Sequence, residues 1–170
     1  VRHNAQLAHL YLARGDHEKA TRIIQWLLQS AHTSGAFPTT VHPSTQKGAD
    51  GLGHDPVATA ACLSVFTHVI AQATDTQLHL LVNTPLSIWD GAQFTNIQTP
   101  FGPLGCAITP GTTIPYTLSI TPNFHTPPSD IVIQLHPAIH RVMADATIPI
   151  GEQHRIRIPA TPHDIHCYRS

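Results

Sequence analysis

The chain has 170 residues, with nine Lys and Arg against ten Asp and Glu and a formal net charge of −1. That length is enough to bury a core without disulfides or metals, and the scattered basic residues exclude a phosphate-backbone binder. Charged residues make up 11% of the chain, against about 25% in ordinary soluble domains, while 15 Pro and 14 His are numerous, so Thr, Gln, Asn, Ser and His must carry the surface.

The stretch Val1 to Ala13 places Leu7, Ala8, Tyr11 and Leu12 on one face, and Gly15 is the expected stop. Because the opening VRHNAQLAHLYL reads as the middle of a helix, the chain is expected to be a piece of a longer protein. From Asp16, a natural N-cap, to Ala31 the apolar residues Ala20, Ile23, Ile24, Leu27, Leu28 and Ala31 follow the spacing of an amphipathic helix. A third helix is predicted from Asp55 to about Ala73. There Asp precedes Pro56 at the first helical position, and Ala58, Cys62, Val65, Phe66, Val69, Ile70 and Ala73 continue on one side.

Between the second and third helices lies HTSGAFPTTVHPSTQKGADGLG, residues His32 to Gly53, with two Pro, four Gly and no regular period. It exceeds the ~12–15 residues beyond which an unstructured connection in a compact domain is unusual. Phe37 and Val41 are expected to anchor its first half, leaving Ser44 to Gly51 the more mobile part.

Beyond Thr74 the pattern changes to period two. Ile114, Tyr116, Leu118 and Ile120 alternate with Pro115, Thr117, Ser119 and Thr121, Ile131, Ile133 and Leu135 alternate with Val132, Gln134 and His136, and later Ile156 and Ile158 alternate with Arg155 and Arg157. Turn-rich segments such as TPNFHTPPSD separate these runs, and Pro115 predicts an edge position or a bulge for its strand. The reading is an α+β chain: helical hairpins over residues 1–76, then an antiparallel β-sandwich of about six to eight strands over residues 77–170, its last strand near Pro159. Trp26 and Trp89 are expected where helices and sandwich meet. No apolar run approaches the roughly 20 residues of a membrane-spanning helix. Cys62, Cys106 and Cys167 are odd in number and far apart, which predicts buried or free thiols rather than a disulfide framework or a zinc cage.

The segments SGAFPTTVHPSTQKGADGLGHDPVATAACLSVF and LHLLVNTPLSIWDGAQFTNIQTPFGPLG, in that order, resemble the C-terminal end of the glucoamylase-like six-hairpin glycosidases. Phe37, Pro38, Val41, His42 and Pro43 match the loop of that family; Gly51, Gly53 and His54 match the stretch before the last barrel helix. Leu80, Pro85, Trp89, Thr99, Pro100, Phe101 and Gly102 match the start of its β-rich tail. The resemblance implies that the helices are the last hairpins of an α/α barrel, that the tail is an accessory β-sandwich, and that the partner is a carbohydrate. It also implies that the general acid lies upstream of Val1 or on a partner chain; no cofactor or metal is expected.

Glycosidic cleavage requires two carboxyl groups, one to protonate the leaving oxygen and one to activate water or attack. Glu18 and Glu152 read as solvated charges, the first placed to complement a helix dipole. Where the family pattern would hold a Glu after the aromatic–Pro pair, this chain has Thr39. Asp55 is either a helix cap or a site residue, and Asp50 either a turn residue or a ligand contact. His42 and His54 are packed or solvated imidazoles, or donors to sugar hydroxyls, and Phe37 either anchors the loop or stacks on a sugar face. The substrate-binding candidates are thus Phe37, Thr39, His42, Asp50, His54 and Asp55, with no catalytic residue assigned.

A second resemblance is local. LAHLYLARGDHEKATRIIQWLL is similar to one tetratricopeptide unit, which keeps open a non-catalytic carbohydrate-associated or protein-interaction module, although such units must stack about three deep and no second copy is present. His136 and His140, or His163, His166 and Cys167, lack the four-ligand spacing of structural zinc. No Gly-x-Ser-x-Gly elbow, dinucleotide fingerprint or phosphate loop is found.

Overall fold

The computed structural model describes residues 1–14, 16–49, 54–82, 84, 89, 91–111, 116–144 and 147–169. Gly15, Asp50, Gly51, Gly53, Pro85, Ile114 and Pro115, each used in the sequence reading, lie outside the described residues. The chain is α+β and divides into two units, Val1–His68 and Val69–Ser170.

The first unit is built on helices α1 (Arg2–Ala13), α2 (His17–Ser30) and α3 (Pro56–Ile70), whose last two residues belong to the second unit. Ala5, Ala8, Ala20, Leu27, Ala58, Cys62 and Val65 are wholly buried, so the helices meet on small side chains. Asp16 stands at the N-cap of α2, but its carboxylate receives the Lys19 ammonium at 2.6 Å and caps no backbone N–H. Asp55 does cap: its Oδ1 accepts from the N–H groups of Val57 (2.8 Å) and Ala58 (3.1 Å).

Helix α3 stops at Ile70, short of the expected Ala73, because Ala71–Ala73 forms strand β1 against β2 (Gln77–Leu80), with Ala71 opposite Leu80 and Ala73 opposite Leu78. Thr74 closes the hairpin, its Oγ1 accepting from the Gln77 N–H at 3.1 Å. Ala71 and Ala73 suit a helix stripe and a strand face equally, and the pairing with β2 decides between them.

The remaining strands are β3 (Ala92–Thr99), β4 (Gly102–Pro110), β5 (Tyr116–Pro122), β6 (Asp130–Gln134), β7 (Ile139–Met143), β8 (Thr147–Ile148), β9 (Arg155–Ile158) and β10 (His163–Arg169). They form a four-stranded sheet in the order β1-β2-β6-β9 and a six-stranded sheet in the order β3-β4-β5-β10-β7-β8. All pairings are antiparallel except β2 with β6. The strands therefore extend past Pro159, to a final one that sits inside its sheet between β5 and β7. Strand β5 is likewise interior, with unbroken registers on both sides, where an edge or a bulge was predicted.

Both sheets feed one apolar core that includes Leu78, Leu80, Leu104, Leu118, Ile120, Ile131, Ile133, Ile156 and Ile165. Burying each such side chain contributes about 1.5–3 kcal/mol. Trp89 belongs to this same core, wholly buried, its indole N–H donating to Thr84 Oγ1 at 3.0 Å and its ring 6.1 Å from that of Tyr116. It is a core residue of the β unit, because its one polar atom finds an internal acceptor. The Thr99–Gly102 segment is the β3–β4 turn. A Cβ on Gly102, at φ +130°, would lie 2.8 Å from the Asn123 carbonyl oxygen, so only glycine fits there.

Candidate functional site in the helical unit

The connection from α2 to α3 holds the residues that the family resemblance singled out. His32 N–H donates to the Ala36 carbonyl (2.8 Å), and Gly35 N–H to that of His32 (2.8 Å), which reverses the chain just beyond α2. Phe37 is 3% exposed, its ring 5.9 Å from that of Phe66 and its N–H bonded to Thr59 Oγ1. It anchors the loop and has no free face for a sugar. Residues 40–49 then form a tight reversal: His42 N–H bonds to the Lys47 carbonyl, Ala49 N–H to that of Thr40, and Val41 bridges Gly48. Gln46 takes a left-handed conformation at the tip (φ 56°), and its side-chain amide donates to the Pro43 carbonyl at 2.6 Å.

Thr39 and Asp55 are brought together. The Ala58 N–H, the Thr39 hydroxyl, the Val57 N–H and the charge of Arg2, in that order, hold the Asp55 carboxyl below its ordinary range against partial desolvation. This is the electrostatics of a well-satisfied cap; a general acid would need the reverse. His42 is exposed and accepts from the Ser44 N–H through Nδ1 (3.2 Å), a local turn contact. His54 is exposed and stands edge-on to His32, ring centres 5.2 Å apart. Asp50 lies outside the described residues.

A cavity of about 440 Å³ opens between the end of α2 and the loop, lined by Gln29, Ser30, Ala31, His32, Thr33, Pro38, Thr45, Gln46, Lys47 and Gly48. None of the five described candidates lines it, although His32, the ring neighbour of His54, does. The lining was missed because it joins the last turn of a helix to a loop tip some 15 residues later in the chain. The signal present in the sequence was the polar run Ser44–Lys47, which has nothing to bury.

The other acidic groups of this unit are committed. Asp16 holds Lys19, and Glu18 pairs with Arg22 one turn along the helix. Across α1 and α3, His9 and His68 stand edge-on with ring centres 5.4 Å apart, and His9 Nε2 is 3.2 Å from Ser64 Oγ. Burial lowers both imidazole pKa values, and His68 lowers that of His9 further. The three cysteines are buried and unpaired, and desolvation pushes Cys62 up to about 11 and Cys106 and Cys167 up to about 12, the opposite of what a nucleophilic thiol needs. Among the described residues no three His, Cys, Asp or Glu side chains gather to hold a metal ion, and no helix is long and apolar enough to cross a membrane. Comparison with known protein families, curated proteins and solved structures finds no match for this chain.

Proposed function

We propose that this chain is the C-terminal, saccharide-binding part of a carbohydrate-active protein of the six-hairpin glycosidase kind, with the general acid supplied from outside the chain. The observation that carries the reading is the cavity beside the α2–α3 loop, whose polar lining is neutral apart from Lys47: Gln29 and Thr33, with Ser30, His32, Thr45 and Gln46, which also bond locally to Trp26, Ser34, Lys47 and Pro43. Sugar hydroxyls each donate and accept, and uncharged amide, hydroxyl and imidazole groups match both roles without the desolvation cost of a carboxylate. On this reading the three helices are the last hairpins of an α/α barrel, and the two sheets, sharing one core, are its accessory β-sandwich.

A second reading, a non-catalytic carbohydrate-associated module, is favoured by the commitment of Asp16, Glu18 and Asp55 to a lysine, an arginine and a helix cap. Titrating the labelled chain with neutral oligosaccharides while following amide shifts tests the binding both readings share. Saturable shifts at Gln29, His32 and Gln46, lost in His32→Ala and Gln46→Ala, are expected; their absence, or equal shifts with an apolar peptide, overturns the saccharide reading. Aryl glycoside turnover that disappears in Asp50→Asn would show that this loop supplies catalytic acid after all.

A further inference from the structure

The four-stranded sheet has an outward face whose chemistry differs from that of the saccharide cavity. Along β9, Arg155 and Arg157 alternate with the buried Ile156 and Ile158, so both guanidinium groups leave the same side of the sheet. On β2 the same alternation turns Gln77 and His79 outward, with Leu78 and Leu80 in the core. Strand β6 lies between them, and the registers are direct: His79 is opposite Val132, and Val132 is opposite Arg157. A short side chain thus forms the floor of a row whose two ends are long and basic. The depression above it has a volume of about 370 Å³ and is lined by Gln77, His79, Val132, Arg155 and Arg157, with Pro149, Gly151, Glu152 and Ile156 completing it.

The charges around this depression balance in number but not in place: Arg155 and Arg157 stand against Glu152 and Asp130, and Asp130 also accepts from the Gln77 side-chain amide at 3.3 Å. Arg157 faces Asp130 at 4.0 Å, a long contact, and among the described residues Arg155 has no carboxylate within ion-pairing distance. Glu152 is the one acid lining the cavity, against two guanidinium groups and an imidazole. The His79 pKa is lowered, first by burial and then by Arg155 and Arg157, so the field of both arginines reaches the ring across the depression.

We propose that the depression over Val132, between His79 on one side and Arg155 and Arg157 on the other, is a binding site for an oxyanion carried by a small ligand, either a carboxylate or a phosphate. Guanidinium groups bind both bidentately. The site lies wholly within the β unit and stands whether or not the saccharide reading holds. Binding couples to His79: a bound anion offsets the arginine field and stabilises the imidazolium, so the His79 titration midpoint moves up.

The test is a titration of the whole chain with sodium phosphate and with glucuronate, glucose and sodium chloride serving as controls, following the His79 ring resonances over pH. Saturable binding with an upward shift of the His79 midpoint is expected from at least one anion and from neither control. A tighter response to glucuronate identifies a carboxylate ligand, and a tighter response to phosphate identifies a phosphorylated one. Arg155→Gln and, separately, the exposed Arg157→Gln should each weaken binding at least tenfold; Arg157→Gln removes a solvent-facing side chain and keeps the test valid if Arg155→Gln unfolds. No saturable response, an equal response to chloride, or a response unchanged in Arg157→Gln overturns the proposal.

Discussion

In the helical unit the residues with no exposed surface are mostly alanines, Ala5, Ala8, Ala20 and Ala58, joined by Leu27, Cys62 and Val65, whereas the β unit buries Trp89, Leu78, Leu80, Leu118, Ile131, Ile133 and Ile165 to the same degree. The exposed large apolar side chains run the other way: Leu7, Leu10, Leu28, Val57 and Leu63 all belong to the helices. Small residues let helices approach closely but remove little apolar surface from water, and the gain scales with that surface. The β unit thus closes a thick core of its own. The helical unit relies on short contacts and a loop pinned by Phe37.

The largest expected effect tests this contrast directly. Trp89→Ala should destabilise the chain by about 3–5 kcal/mol, since it removes a wholly buried ring and leaves Thr84 without its indole partner, whereas Leu27→Ala should cost about 2 kcal/mol because a thinner core relaxes more readily. Urea unfolding, with amide exchange to separate the two units, reads both. Equal costs would break the contrast.

A pH effect carried by two histidines in the helical unit, against His79 alone among the described β-unit residues, would sharpen it. His9 and His68 are both depressed in the folded state, so the unfolded chain binds more protons below the ordinary histidine value of 6.5. Their contribution to stability is therefore complete above pH 6.5 and is lost as the pH falls from there through the lower folded values. The helical unit should become less resistant to urea between about pH 6.5 and 5. His9→Gln should flatten that dependence by removing one titrating group, leaving His68 depressed by burial alone. A helical unit whose stability is unchanged over that interval would contradict the assignment.

The smallest expected effect is on the exposed leucines. Leu63→Gln, at a position 55% exposed, should change stability by no more than about 0.5 kcal/mol while improving solubility. A loss above about 1 kcal/mol would show that this face is covered.

Much of the architecture was legible in local spacing. The apolar stripes at helical period marked all three helices, and Asp55–Pro56 marked the start of α3, because a cap and a fixed φ act within one turn. Alternation along Tyr116–Ile120 and Arg155–Ile158 named which side chains enter the core, since a strand turns successive residues to opposite faces. Val132 obeys the same rule: it lies outside the core that takes Ile131 and Ile133, and it is 6% exposed at the floor of the depression that His79 and Arg157 line. The helical period failed at Ala71–Ala73, where pairing with β2 overrode the stripe.

The candidate site was less readable. Composition and family resemblance drew attention to the loop, and the burial of Phe37 and the capping role of Asp55 follow from their immediate neighbours. Which polar groups converge does not, for Gln29 meets Gln46 across a chain reversal set by backbone bonds from His32 to Ala36 and from His42 to Lys47. Likewise the facing of His79 and Arg157 across Val132 depends on a parallel register between strands about fifty residues apart. Periodicity records which face of its own element a residue occupies, because that depends only on the repeat of the backbone. It carries no record of strand order or loop closure, which are settled by burying both sheets in a common core and satisfying the backbone groups of the reversals, and it is these that bring distant side chains to one place.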